Sequence, residues 1–284
     1  MTTLSHHRSG TGEPLVLLHG IGSRWQLWEP VLPALRPHFD VLALDLPGFG
    51  ASPPTAGVSF GASPPTAGVS FGVSRTGAGA DVASFADAVT SFAAAAFPGA
   101  ASFHVAGSSL GGGIALELGR RGVARSVTAF APIGFWGPLS RRWCQASVTG
   151  ARVFGRLTRP ALPALASTAA GRIAVFGLFF GHPARLDPAV CLADVDALVA
   201  APAFTAARSA FAGHRFPGPG ALDTIPVTVA WGTRDAILPA FQSRRAAAVL
   251  PHARHVSLKG CGHLPFSDAP DTCATLIRTT AATT

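Results

Sequence analysis

The sequence predicts an α/β fold: a mostly parallel central sheet flanked by helices, with a helical insertion in the second half of the chain. Two observations carry that expectation. Short continuous apolar runs, the signature of parallel strands buried on both faces, alternate with helix-length segments. The stretch 135–218 breaks the rhythm: it holds no such run and reads as helices interrupted by Pro160, Pro163, Gly171, Pro183 and Pro202. The 284 residues suffice for one large core, and an apolar share of 48% excludes a disordered chain.

The strand-like runs follow in order. Run 15–18 ends at His19-Gly20, and run 41–44 ends at Asp45-Leu46-Pro47-Gly48. Run 103–106 stops at Gly107 and run 127–131 at Pro132; runs 227–231 and 255–258 end at Gly232 and just before Gly260. Between them, helical patterns cover 25–35, 81–97, 110–121, 240–249 and 269–279. The expected organisation is a core in two parts, 1–134 and 219–284, with a helical cap over 135–218. In such sheets ligands gather at the carboxyl ends of the strands. One repeat disturbs the first part: GASPPTAGVSF occupies 50–60 and recurs unchanged at 61–71. Two short copies make no solenoid. They lengthen the connection after Gly48, where a mobile surface loop is expected.

The charge is unevenly placed. The net charge is +8, and 21 of the 22 basic residues are arginine. Nine arginines and three aspartates fall in 135–218, so this stretch holds +6 and the remainder only +2. Arg141, Arg152, Arg156 and Arg159 lie near one face of a helix, with Trp143, Val153, Phe154 and Leu157 elsewhere. The segment reads first as a solvated face of the cap; the alternative is attraction of an acidic substrate or a weak contact with anionic membrane. No nucleic-acid motif accompanies the charge, so no nucleic-acid partner is expected. No apolar run approaches the roughly 18 residues of a membrane span. The first 14 residues lack the apolar stretch of a signal peptide, and Cys144, Cys191, Cys261 and Cys273 form no C-x-x-C pair. A cytoplasmic protein with reduced thiols, no metal and no cofactor is the expectation.

The chemistry concentrates in three places. Gly107-Ser108-Ser109-Leu110-Gly111 matches G-x-S-x-G, in which a tight strand-to-helix turn lifts the central hydroxyl into the open. The pattern also occurs around Ser59 and Ser70 in the repeat, but there no strand precedes it and no helix follows. Only Ser109 has the required context. A serine needs a base, and the base needs a carboxylate to fix its tautomer. Asp235 follows run 227–231 and His263 follows run 255–258, both just past a strand end, on Ser109's side of the sheet. Asp223 precedes its strand and would sit at the wrong end; Asp268 and Asp271 are assigned to the start of the last helix. His19-Gly20-Ile21-Gly22 ends the first run, with His19 read as structural.

Taken in order, 15–22, 25–35, Asp45-Leu46-Pro47-Gly48-Phe49-Gly50, the Ser109 turn and the Asp235 and His263 loops resemble the α/β-hydrolase-fold serine hydrolases, of the bacterial type with a helical cap. The resemblance implies a Ser109–His263–Asp235 triad and an oxyanion hole formed by the amides of Ile21 and Leu110. It implies a cofactor-free esterase acting through an acyl-enzyme. Carbon–carbon, thioester or lactone hydrolysis and haloperoxidase-like perhydrolysis stay open within the fold, as does a small-molecule receptor with little turnover. A serine rather than an aspartate at the turn argues against dehalogenase and epoxide hydrolase chemistry. The family usually opens with a hairpin, and so few residues precede Leu15 that one of its strands is expected to be missing. The apolar segment 173–180 lines an acyl pocket or packs the cap. The expected substrate is a small molecule with a hydrophobic acyl or aromatic part.

Overall fold

The computed structural model describes residues 4–54 and 80–283. The loop expectation, the second repeat copy, and Ser59 and Ser70 fall outside the described residues.

Seven strands form one sheet: β1 (His6–Ser9), β2 (Glu13–Leu18), β3 (Phe39–Leu44), β4 (Phe103–Ser108), β5 (Ala124–Phe130), β6 (Val227–Gly232) and β7 (Arg254–Leu258). Their order across the sheet is β1-β3-β2-β4-β5-β6-β7. Only β1 runs antiparallel, pairing with β3; every other pair is parallel. A single strand therefore precedes β2 among the described residues.

The apolar runs are explained by the two-residue side-chain period of a strand. Val16, Leu18, Leu42 and Leu44 point to one face, under α2 (Val82–Ala96) and α3 (Leu110–Arg120). Leu15, Leu17, Val41 and Ala43 point to the other, against α1 (Leu32–Leu35) and a terminal helix, Pro270–Ala281. Both faces are dry, so no alternation with polar residues survives. The helix expected over 25–35 is two short pieces, a 3₁₀ turn Trp25–Trp28 and α1. Pro30 and Pro33, which lack an amide donor, prevent a continuous helix.

The stretch between β5 and β6 is helical throughout: α4 (Pro138–Thr158), α5 (Leu162–Ser167), α6 (Ala169–Phe176), α7 (Pro188–Ala200) and α8 (Phe204–Ala212), with a 3₁₀ turn Pro183–Arg185. After β6 come α9 (Gln242–Val249) and, after β7, α10 (Pro270–Ala281). Gly150 and Gly155 do not break α4. A Cβ on Gly155 would come 3.0 Å from Val195 Cγ1, so this glycine lets α4 lie close to α7, whereas Gly150 faces open space. The arginines of α4 are also sorted. Arg152 donates to the Val199 carbonyl and lies over the Phe204 ring, Arg159 pairs with Asp196 at 2.7 Å, and Arg141 donates to the Ala212 carbonyl. The basic face predicted for a partner is thus turned largely toward α7 and α8.

Candidate active site

The strand ends β2, β3, β4, β6 and β7 bring the candidate residues to one edge of the sheet. Ser109 sits between β4 and α3 at φ 56°, ψ −111°, a conformation that costs a non-glycine residue about 1–3 kcal/mol. Backbone bonds hold it there. Its N–H donates to the Phe130 carbonyl at 2.9 Å, and its carbonyl accepts from Gly113 at 3.0 Å and Ile133 at 3.2 Å. The flanking glycines are steric requirements. A Cβ on Gly107 would stand 2.0 Å from the Gly111 carbonyl oxygen, and one on Gly111 would stand 2.2 Å from that of Leu18.

The loop after β2 is fixed by His19. Its buried Nε2 accepts from the Leu46 amide at 3.0 Å, which leaves Nδ1 to donate to the Gly20 carbonyl at 2.7 Å. Burial holds this ring's pKa below the ordinary histidine value. His19 therefore joins the loops after β2 and β3 and does not face substrate, as its sequence context predicts. Asp45 completes the brace by accepting from the Trp25 and Ala51 amides at 2.7 and 2.9 Å. Gly20 passes so close to Ser109 that a Cβ would lie 3.2 Å from the serine Cβ. The amides of Ile21 and Leu110 donate to nothing among the described residues.

Asp235 and His263 meet. Asp235 Oδ1 accepts from the Ile237 and Leu238 amides at 2.9 and 2.7 Å, and Oδ2 lies 2.8 Å from His263 Nδ1. Both side chains are buried. Asp235 is thus both a turn aspartate and a histidine partner, and its turn bonds hold the second oxygen toward the ring.

The sequence position of Asp268 predicts service at the start of α10, and the structure corrects this. The cap position of α10 is Ala269, with no side-chain bond. The Asp268 carboxylate instead accepts from the amides of Gly181, His182 and Gly262 at 2.7, 2.8 and 2.8 Å. It ties the segment after α6 to the loop that carries His263. No local pattern signals this role, because two of its donors lie more than 80 positions away in sequence.

Ser109, His263 and Ile21 line one cleft, whose void, open mouth included, is about 880 Å³. Its other wall comes from the helical stretch: Val148, Ala151 and Phe154 of α4, Val175 and Phe176 of α6, Phe179 and Phe180 beyond it, and Val195 and Leu198 of α7. Segment 173–180 lines this cleft and also packs against neighbouring helices. Phe176 and Phe180 line the cleft and also join the small apolar cluster that holds α5, α6 and α7 together. One acid enters the cleft, Asp194, which faces Arg24 at 3.5 Å. Burial pushes its carboxyl up to about 6, with Arg24 opposing. The four cysteines are buried free thiols; burial raises all four, to about 12 for Cys144 and about 11 for Cys191 and Cys261.

Comparison with known proteins agrees with this architecture. The chain is 29% identical over 279 residues to an uncharacterized protein of Mycobacterium tuberculosis, covering 92% of this chain and 73% of that one. A shorter stretch of 46 residues is 48% identical to a pimeloyl-[acyl-carrier protein] methyl ester esterase of Legionella pneumophila, spanning 16% of this chain and 19% of that protein. Among solved structures, the enol-lactonase of Burkholderia xenovorans superposes with a TM-score of 0.67 at 20% identity, over 99% of this chain and 97% of that one. An esterase of Thermogutta terrifontis superposes with a TM-score of 0.67 at 21% identity, covering 99% and 93%. The model of the alpha/beta hydrolase family matches residues 15–276, from β2 to α10. With the sheet, the strand-end turn and this match running over nearly the whole chain, the protein belongs to the alpha/beta hydrolase family.

Proposed function

We propose that the protein is a serine hydrolase of carboxylic esters. The observation that carries the reading is the buried Asp235–His263 bond, whose imidazole lines the same cleft as the strained Ser109. In this reading Ser109 Oγ attacks the ester carbonyl carbon and His263 Nε2 takes its proton. Asp235 keeps the Nδ1 proton on the ring and stabilises the imidazolium. The unspent amides of Ile21 and Leu110 receive the oxyanion, and loss of one such donor typically costs roughly 3–4 kcal/mol of barrier. His263 then protonates the departing alcohol, water attacks the acyl-enzyme with His263 as base, and the acid is released.

We further propose that 135–218 acts as the cap and sets substrate choice. Its phenylalanines favour an acyl or aromatic part of low polarity. The short match to a methyl ester esterase supports ester over carbon–carbon or thioester bonds. A cytoplasmic site rests on the free thiols. Among the described residues no single helix is long and apolar enough to cross a membrane.

Labelling with a fluorophosphonate tests the reading. The wild type is expected to label and Ser109→Ala is not. An unlabelled wild type, with the fold intact by circular dichroism, overturns the hydrolase assignment in favour of a small-molecule receptor.

A further inference from the structure

We propose that the outer face of α4 is a docking surface for an anionic lipid interface, which sets the mouth of the cleft against the source of its substrate. The inference rests on the ester hydrolase reading for the fate of the substrate, but the surface itself does not.

Helix α4 is amphipathic with its apolar side outward. Leu139, Trp143, Val153, Phe154 and Leu157 fall within about 100–120° of one another around the helix axis. All are exposed, Leu139 at 79% and Leu157 at 74%. Ala146 and Gly150 complete the stripe and are exposed too, so no charge interrupts it. The face turned inward carries Cys144, Val148 and Gly155. A single exposed leucine is ordinary, whereas a continuous stripe along a helix of 21 residues is not. Among the described residues only Trp143 is tied down, its Nε1 donating to the Ala236 carbonyl at 2.7 Å, and the stripe stays exposed.

Charge selects the occupant. Arg142 and Arg156 border the stripe on one side, exposed and without an ion pair among the described residues. The acids that could neutralise them are committed elsewhere. Asp187 caps α7, Asp194 faces Arg24, and Asp196 pairs with Arg159. A surface offering both hydrocarbon and negative charge meets both features, and an anionic bilayer does so where a neutral apolar protein face does not. The stripe is also continuous with the cleft. Phe154 is 45% exposed on the outer face and at the same time lines the pocket that holds Ser109. Docking through α4 places an amphiphilic ester beside the opening without passage through water.

The experiment is co-sedimentation of the full chain with vesicles of phosphatidylcholine alone and of phosphatidylcholine with phosphatidylglycerol, at low and high salt. The wild type is expected to sediment with the mixed vesicles and to be released by salt. Leu139→Glu with Leu157→Glu is expected to weaken sedimentation about tenfold or more. Arg142→Glu with Arg156→Glu is expected to weaken it about fivefold per position and to flatten the salt response. None of these side chains lines the cleft, so fluorophosphonate labelling of Ser109 stays unchanged in both variants. Three results overturn the proposal: no sedimentation of the wild type, sedimentation that the leucine variant leaves intact, or a wild-type dimer on size exclusion that the leucine variant splits, which would make a second copy the occupant. Loss of labelling with lipid binding intact counts against the esterase reading alone.

Discussion

At the strand ends, His19 and three carboxylates are buried or half-buried and tied to partners. His19 bridges two loops, Asp45 takes two amides, Asp235 takes two amides and an imidazole, and Asp268 takes three amides. In the α4–α8 helices the arrangement is reversed. Arg141 and Arg152 reach across to α8 and α7, while Leu139, Trp143, Phe154 and Leu157 of α4 are exposed. A buried polar group without a partner costs about 1–3 kcal/mol, so a network such as the strand-end one persists only when nearly complete. An exposed apolar side chain costs little stability in isolation, so the helical stretch is free to vary its surface. The contrast teaches where constraint lies: the proposed chemistry sits in an over-determined lattice of backbone bonds, and the proposed determinants of substrate choice sit on helices that pack against it.

That contrast can be broken most sharply at its centre. Asp235→Asn keeps the turn bonds but disfavours the required tautomer of His263. Steady-state kinetics on an aryl ester is expected to show kcat lower by roughly 10⁴-fold with the fold unchanged. At the junction of the two regions, Asp268→Ala leaves three amides without their acceptor. Chemical denaturation is expected to show a loss of about 3 kcal/mol, and kcat should fall with it because the His263 loop loosens.

Acid probes the buried histidines. Burial lowers the pKa of His19 and of His104 below the usual 6.5, with the Glu13 carboxylate partly opposing at His104. A histidine depressed in the folded state binds its proton more readily when unfolded. Its contribution is therefore complete above pH 6.5 and is lost as pH falls through the folded-state value. The thermal midpoint should drop as pH is lowered from 6.5, with a shallower slope in His104→Asn. The smallest effect belongs to the helices. Gly150→Ala meets no neighbour within 4 Å and should stabilise by up to about 1 kcal/mol, while Gly155→Ala should not, because Val195 is in the way. If both were neutral, the view of α4 as packed on one side and open on the other would need revision.

Much of this was readable before folding. The two-sided burial of β2 and β3 shows directly as the unbroken runs 15–18 and 41–44. The Ser109 turn was distinguishable from its two repeat counterparts because the strand before and helix after leave local marks. The loop positions of Asp235 and His263 followed from where their strands end. What sequence misassigned was set by distance. Asp268 resembled a helix cap because its neighbours in sequence are helical, yet two of its donors come from the segment between α6 and α7. The two short turns over 25–35 were written in Pro30 and Pro33 and were outweighed by the apolar spacing around them.

The sequence by itself determined the α/β class, the order of the strands along the chain and the tight strand-to-helix turn at Ser109, because periodicity and turn chemistry are local properties. Only the tertiary structure decided that Asp235 lies 2.8 Å from His263, that Asp268 bridges two regions, and that the apolar side of α4 faces out. A helical pattern shows that two faces differ but not which one meets the core. That choice is made by the partners a helix finds, here α7 and α8, and they are brought to it by the rest of the chain.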